Sequence, residues 1–240
     1  MASKRLSSEF LNFLAHNGNL EDRSERIPSL TTLSAELGVS VSRLREQLEV
    51  ARVLGFVEVR PRTGIRRLPY TFQPAVKESL SYAITLDREY FEAFSDLRRH
   101  LETAYWHEAV SRLESVDHEE LRALLDQAWS KLRGDPIEIP HPEHRTFHLT
   151  IYQRLGNPFV LGLLVAYWDA YEAVGLNVYA DYAYLQQVWS YHEQMVKAIC
   201  SGDLEAGYKA LIDHTALIYH RLVPDKTTNG LVVRGQSNPR

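Results

Sequence analysis

"SLTTLSAELGVSVSRLREQLEVARVLGFVEVRPRTG", residues 29–64, changes its hydrophobic period once, and that change decides the fold of the N-terminal segment. Up to Gly55 the apolar residues recur at helical spacing: Leu30, Leu33 and Leu37, then Val41, Leu44, Leu48 and Ala51. Gly38 stops the first helix, and Ser40 is a natural N-cap for the second. After Gly55, "FVEVR" (56–60) alternates apolar and polar as a half-buried strand does, and "IRRL" (65–68) is its candidate partner. "PRTG" (61–64) places Pro and Gly for a tight turn between the two strands. Upstream, "LSSEFLNFLAHNG" (6–18) carries Phe10, Phe13 and Leu14 at helical spacing. Two short helices joined through "GVS" and followed by a two-stranded wing read as a winged helix-turn-helix. Its second helix is the reading helix, and Arg62 stands at the tip of the wing.

Charge supports a division of labour. The chain of 240 residues has a net charge of −4, yet residues 1–68 hold 11 Lys/Arg against 8 Asp/Glu and the remainder holds 16 against 23. A basic segment joined to an acidic one suggests two tasks in one chain. Ser42, Arg43 and Arg45 open the polar face of the reading helix, where phosphates and guanine edges are contacted. Hydrophobic content of 45% and a single cysteine, Cys200, suit a globular protein of a reducing compartment. Apolar runs such as "PFVLGLLVAYW" (158–168) fall short of a membrane span, and the N-terminus lacks a signal-peptide core. The expected location is the cytoplasm, with no membrane partner.

Residues 69–86 read as a linker and connecting helix, and residues 87–222 as helices throughout. The markers are Phe91 to Tyr105, Leu121 to Trp129 ended by "RGDP" (133–136), a helix ended by "LGNP" (155–158), then stretches from about Phe159, Tyr182 and Leu204. The fold class is therefore mainly α: a winged helix-turn-helix over 1–68, then an all-α helical bundle effector domain over 87–222. Residues 223–240 read as a loosely ordered tail.

"HRTFH" (144–148) sets two histidines one turn apart on a single helix face, and His192 and His214 lie mid-way along two later helices. Neutral imidazoles from three facing helices can hold a cation, although a lone pair of histidines at this spacing is often incidental, and His141 is a rival ligand. Three or four histidines around a metal could also activate water, with Glu143 or Glu193 as general base. A third reading has the histidines lining a ligand pocket without metal.

The stretch 27–64, above all "LGVS…LRE…GFVEVRP", resembles the winged helix of GntR-family transcriptional regulators. The resemblance implies DNA contacts from Ser40, Ser42, Arg43, Arg45, Arg62, Thr63 and Gly64. Val41 and Thr31 stand where the family usually and often, respectively, has a basic residue. "FSDLRRHLE" (94–102), "HRTFH", "GNPFV" (156–160), "HEQMVKAICSGD" (192–203) and "ALIDH" (210–214) resemble the FCD effector domain of the FadR subfamily. That resemblance implies a divalent metal held by His148, His192 and His214, with His144 where the family has an aspartate. An imidazole there softens the donor set towards zinc or nickel and removes the protein's anion from the site. It also implies that Arg98 binds the carboxylate of a small metabolite, whereas spacing alone also allows a surface ion pair with Glu102 at i,i+4. The protein is expected to be a homodimer reading a palindromic operator in double-stranded DNA. The tyrosines and tryptophans between Tyr152 and Tyr191 suggest an aromatic wall for such an acid. Repression is the expected sign of control, and a DNA reader makes catalysis the poorer expectation.

Overall fold

A computed structural model describes residues 6–17, 26–175 and 181–222. Gly18 and the tail 223–240 lie outside the described residues. The chain divides into two compact units: Met1–Leu86 with Asn157–Ala170, and Asp87–Gly156 with Tyr171–Arg240.

The first unit begins with three short helices, α1 (Glu9–His16), α2 (Leu30–Leu37) and α3 (Val41–Val53). Each starts at a serine whose hydroxyl accepts an N–H three residues on: Ser8 from Leu11, Ser29 from Thr32 and Ser40 from Arg43. Gly38 ends α2 with φ 65°, a left-handed turn that costs glycine little. Strands β2 (Val57–Arg60) and β3 (Gly64–Arg67) form the expected wing, with Val59 opposite Ile65. A third strand, β1 (Arg26–Ile27), adds to the free edge of β3. It is only two residues long, so no periodicity could announce it.

Leu33, Leu44, Ala51, Val57 and Ile65 close the core of the winged helix with Phe10, Leu11, Leu14 and Ile27. Gln47 is the polar member of the buried face of α3. Its Oε1 accepts the Phe10 N–H at 2.9 Å and its Nε2 donates to Glu9 at 2.6 Å, so the start of α1 is tied to the reading helix. Helix α4 (Gln73–Leu86) follows the wing. Helix α8 (Pro158–Ala173) runs from this unit into the other, and its Gly162 leaves room for Phe72, whose Cβ would stand 2.8 Å from an added methyl. Residues 157–170 thus group by contact with the first unit, although they lie inside the stretch expected to form the effector domain.

The second unit holds α5 (Glu89–Ser111), α6 (Ser115–Leu132), α7 (His141–Tyr152), α9 (Tyr182–Ser201) and α10 (Leu204–Leu222). Among its described residues there is no strand, as the helical period predicts. Ala128, Leu132, Leu185, Val188 and Trp189 pack α6 against α9. Trp106 of α5 is fully buried, and its indole N–H donates to the Leu204 carbonyl at 3.0 Å at the start of α10. Gly207 lets α10 come this close: a Cβ there would meet the Trp106 ring at 2.6 Å. Gly207→Ala is therefore expected to destabilise the protein by about 1–3 kcal/mol through overpacking. Urea denaturation checks it, and an unchanged midpoint would refute this account of the α5–α10 contact.

Candidate metal centre and nucleic-acid interface

Helix α7 starts just after Pro140 and carries a second proline in its first turn, where the missing N–H costs nothing. From that start His144 and His148 fall one turn apart on its buried face. Helix α9 brings His192 to them and α10 brings His214, so the four predicted ligands meet, all buried. Each offers one ligand atom, and these atoms lie within 4.8 Å of one another. His148 Nε2 is 3.1 Å from His214 Nε2 and 3.2 Å from His192 Nε2. Imidazole nitrogens about 2.0–2.1 Å from a tetrahedral ion stand roughly 3.3–3.4 Å apart, so the spacing and the donor chemistry both fit a cation. The ring of His144 lies 4.8 Å from that of His192 and 5.5 Å from that of His214. Trp189 and Phe147 form an aromatic wall, their rings 4.6 and 4.5 Å from the His192 ring.

The site is neutral by design of its surroundings. Burial first, then proximity to one another and to Arg98, pushes His144, His192 and His214 well below the ordinary imidazole value. Burial also lowers His148, less far, because Glu102 pulls the other way. Glu102, which the sequence offers as half of a surface ion pair with Arg98, lies in the interior instead. Its Oε1 stands 3.1 Å from His148 Nδ1 and 3.1 Å from Arg98 Nε, and it is fully buried. Burial would raise its carboxyl, but Arg98 and His148 outweigh that and hold it low. A signal did exist: Phe91, Arg98, Glu102, Trp106 and Ala109 share one buried face of α5 at helical spacing.

Arg98 is thus paired with Glu102 one turn on, but in the interior rather than at the surface. Tyr152 donates its hydroxyl to the Glu102 carbonyl at 2.8 Å, fastening α7 to α5 beside the site. His141 is not brought to the four; it stacks on Tyr171 and meets Glu172 at 2.9 Å. The two candidate bases are engaged elsewhere, Glu143 by Lys131 and Glu193 by Lys197, each at 2.7 Å. Tyr167 and Trp168 are fully buried, and the rings beside His192 are those of Phe147 and Trp189.

In the winged helix, Ser42, Arg43 and Arg45 are exposed together at the start of α3. Arg43 reaches Glu9 at 3.3 Å with its guanidinium still largely exposed. Ser40 is exposed and its hydroxyl caps α3. Arg62 and Thr63 are exposed at the wing turn, Arg62 with φ 67° and Gly64 with φ 81°. Arg26 of β1 stands directly opposite Arg66, adding positive charge to the sheet.

Residues 93–217, more than half of the chain, match the FCD domain family. The chain belongs to the FCD domain family. Its fold is shared by a structure of Streptococcus agalactiae GntR, at a TM-score of 0.64 and 18% identity over 88% of this chain and 95% of that one. Also similar are E. coli McbR/YncC (TM-score 0.46, 19% identity, 80% of this chain and 86% of that one) and a GntR-family regulator of Pseudomonas syringae (0.43, 17%, 89% and 82%). A comparison with curated proteins gives no match. The FCD resemblance read from the sequence thus holds over residues 93–217, and the chain has the fold of the S. agalactiae GntR structure. No helix among the described residues is long and apolar enough to cross a membrane.

The FCD histidines make stability depend on pH with a definite sign. Their folded-state pKa values lie below about 6.5, so the unfolded chain binds more protons just below that pH and stability falls on acidification. The melting temperature of chelator-treated protein is expected to drop between about pH 7.5 and 5.5. A flat profile by differential scanning calorimetry would contradict the buried, neutral state of the cluster.

Proposed function

We propose that the protein is a homodimeric, metabolite-responsive transcriptional regulator. In this reading His144, His148, His192 and His214 hold a divalent cation, zinc or nickel, and the winged helix reads a palindromic operator in double-stranded DNA. One observation carries it: four buried imidazoles converge inside an FCD domain whose chain also presents an exposed basic helix. An all-imidazole donor set suits zinc or nickel better than harder cations. When bound, such a cation supplies a Lewis-acidic position that favours an anionic oxygen, because the four ligands bring no negative charge. Arg98 has five donors, of which Glu102 meets the Nε edge, and the guanidinium suits the far oxygen of a small carboxylate. Phe147 and Trp189 would give that acid an apolar wall. Binding of the acid would change operator affinity, with repression as the expected state of the free regulator; coupling of about 1–3 kcal/mol suffices.

Elemental analysis of untagged protein tests the metal. About one equivalent of zinc or nickel per chain is expected, lost in both His148→Ala and His214→Ala. Wild-type protein that stays metal-free after reconstitution would overturn this part of the reading.

Mobility shifts on the protein's own upstream region test the DNA. Ser40, Ser42, Arg43, Arg45, Arg62, Thr63 and Gly64 are the proposed contacts, and Arg45→Ala is expected to weaken binding by about 1–3 kcal/mol. Affinity should fall steeply with salt, as phosphate contacts require. Binding of Arg45→Ala equal to wild type would remove α3 from the reading role.

A further inference from the structure

Glu102 stands beside the four histidines with neither a ligand role nor a DNA role, and its position is too costly to be incidental. A carboxylate with no exposed surface must be paired and hydrogen-bonded to stay charged. Arg98, one turn back on α5, stands 3.1 Å from it, and a guanidinium is always protonated, so the pair is an ionised one. The same oxygen lies 3.1 Å from His148 Nδ1. An ionised carboxylate can only accept, so the ring nitrogen facing it must carry the proton. A neutral imidazole has one proton, and the other nitrogen is then a bare lone pair. That nitrogen, Nε2, is the one that meets His192 and His214 at 3.2 and 3.1 Å. The Tyr152 hydroxyl on the Glu102 carbonyl fixes the height of α5 against α7, so the carboxylate keeps its register with the ring.

We propose that Glu102 is the positioning residue of the metal centre: it holds His148 as the Nδ1–H tautomer, turns Nε2 towards the cation and supplies the buried negative charge that four imidazoles lack. Outer partners of this kind raise the basicity of the ligating nitrogen and fix its orientation. The proposal rests on the metal reading above.

Two measurements on the full chain test it. In chelator-treated, 15N-histidine-labelled protein, long-range 1H–15N correlation reads the tautomer of each ring, with His148 assigned from the spectrum of His148→Gln. His148 is expected with its proton on Nδ1; a proton on Nε2 overturns the role given to Glu102, and this result needs no substitution at Glu102 to fold. Zinc competition against a chromophoric chelator then compares wild type with Glu102→Gln. The expected result is an unchanged stoichiometry and an affinity lower by about 10- to 100-fold. Equal affinities overturn the role while leaving the metal reading intact. A wild-type protein that binds no zinc overturns both.

Discussion

Taking a guanidinium and a carboxylate out of water costs several kcal/mol for each ion, and only their contact with one another and with further partners offsets it. Arg98 and Glu102 sit on consecutive turns of α5, at 3% and 0% side-chain exposure, and this constraint organises the second unit. Arg98 keeps Glu102 charged, and a charged Glu102 requires a donor. His148 Nδ1 is within reach, so the other face of that ring turns inward to His192 and His214. The same Arg98 charge depresses the other imidazoles, which are already disfavoured as cations by burial. Burial keeps the cluster neutral, and the ion pair adds to it and turns the Nε2 edge of His148 inward.

The winged helix is organised without buried charge. Its core is apolar except for Gln47, whose amide satisfies the Phe10 N–H and the Glu9 carboxylate at once. With α1 tied to α3 in this way, the exposed residues Ser42, Arg43 and Arg45 start a helix that is capped, packed and fixed in orientation. Side chains on a rigid element lose less entropy on meeting a phosphate than the same side chains on a loop. The position of Glu9 beside Arg43 fits this: the half-buried acid holds the largely exposed arginine lightly, at 3.3 Å.

Long elements with a steady period are legible in the sequence, and short or long-range features are not. Helices α5 to α10 and the pair β2–β3 follow from spacing and from glycine and proline stops alone. Strand β1, with two residues, contains no period. That His144 and His148 share a face is local information. That His192 and His214 join them is not, since the contacts span 44 and 66 residues, and there the resemblance supplied what periodicity could not. Glu102 was hidden for a different reason. An acid one turn from an arginine reads as a surface ion pair, and only the rotation of α5 shows which face is buried. The grouping of residues 157–170 with the winged helix is likewise a property of contacts that a continuous helical pattern does not encode.

The cluster also limits what the protein can do without a cation. Three Nε2 atoms meet at 3.1–3.2 Å, and the one on His148 has no proton if Nδ1 faces Glu102. Its single lone pair lies in the ring plane and can accept one well-aligned N–H, so His192 and His214 cannot both donate to it with good geometry. Nor can a proton be added cheaply, since a charged imidazole here would stand beside Arg98 in a dry interior. A divalent cation would meet the difficulty differently, accepting from every lone pair at once and drawing on the carboxylate behind His148 for balance. Because such an ion binds the folded chain and not the unfolded one, its affinity adds to the stability of the helices that carry the ligands. Those helices are α7, α9 and α10, and α5 holds the carboxylate behind them, so under the proposed metal reading the packing of the second unit and the occupancy of its centre would be one linked equilibrium.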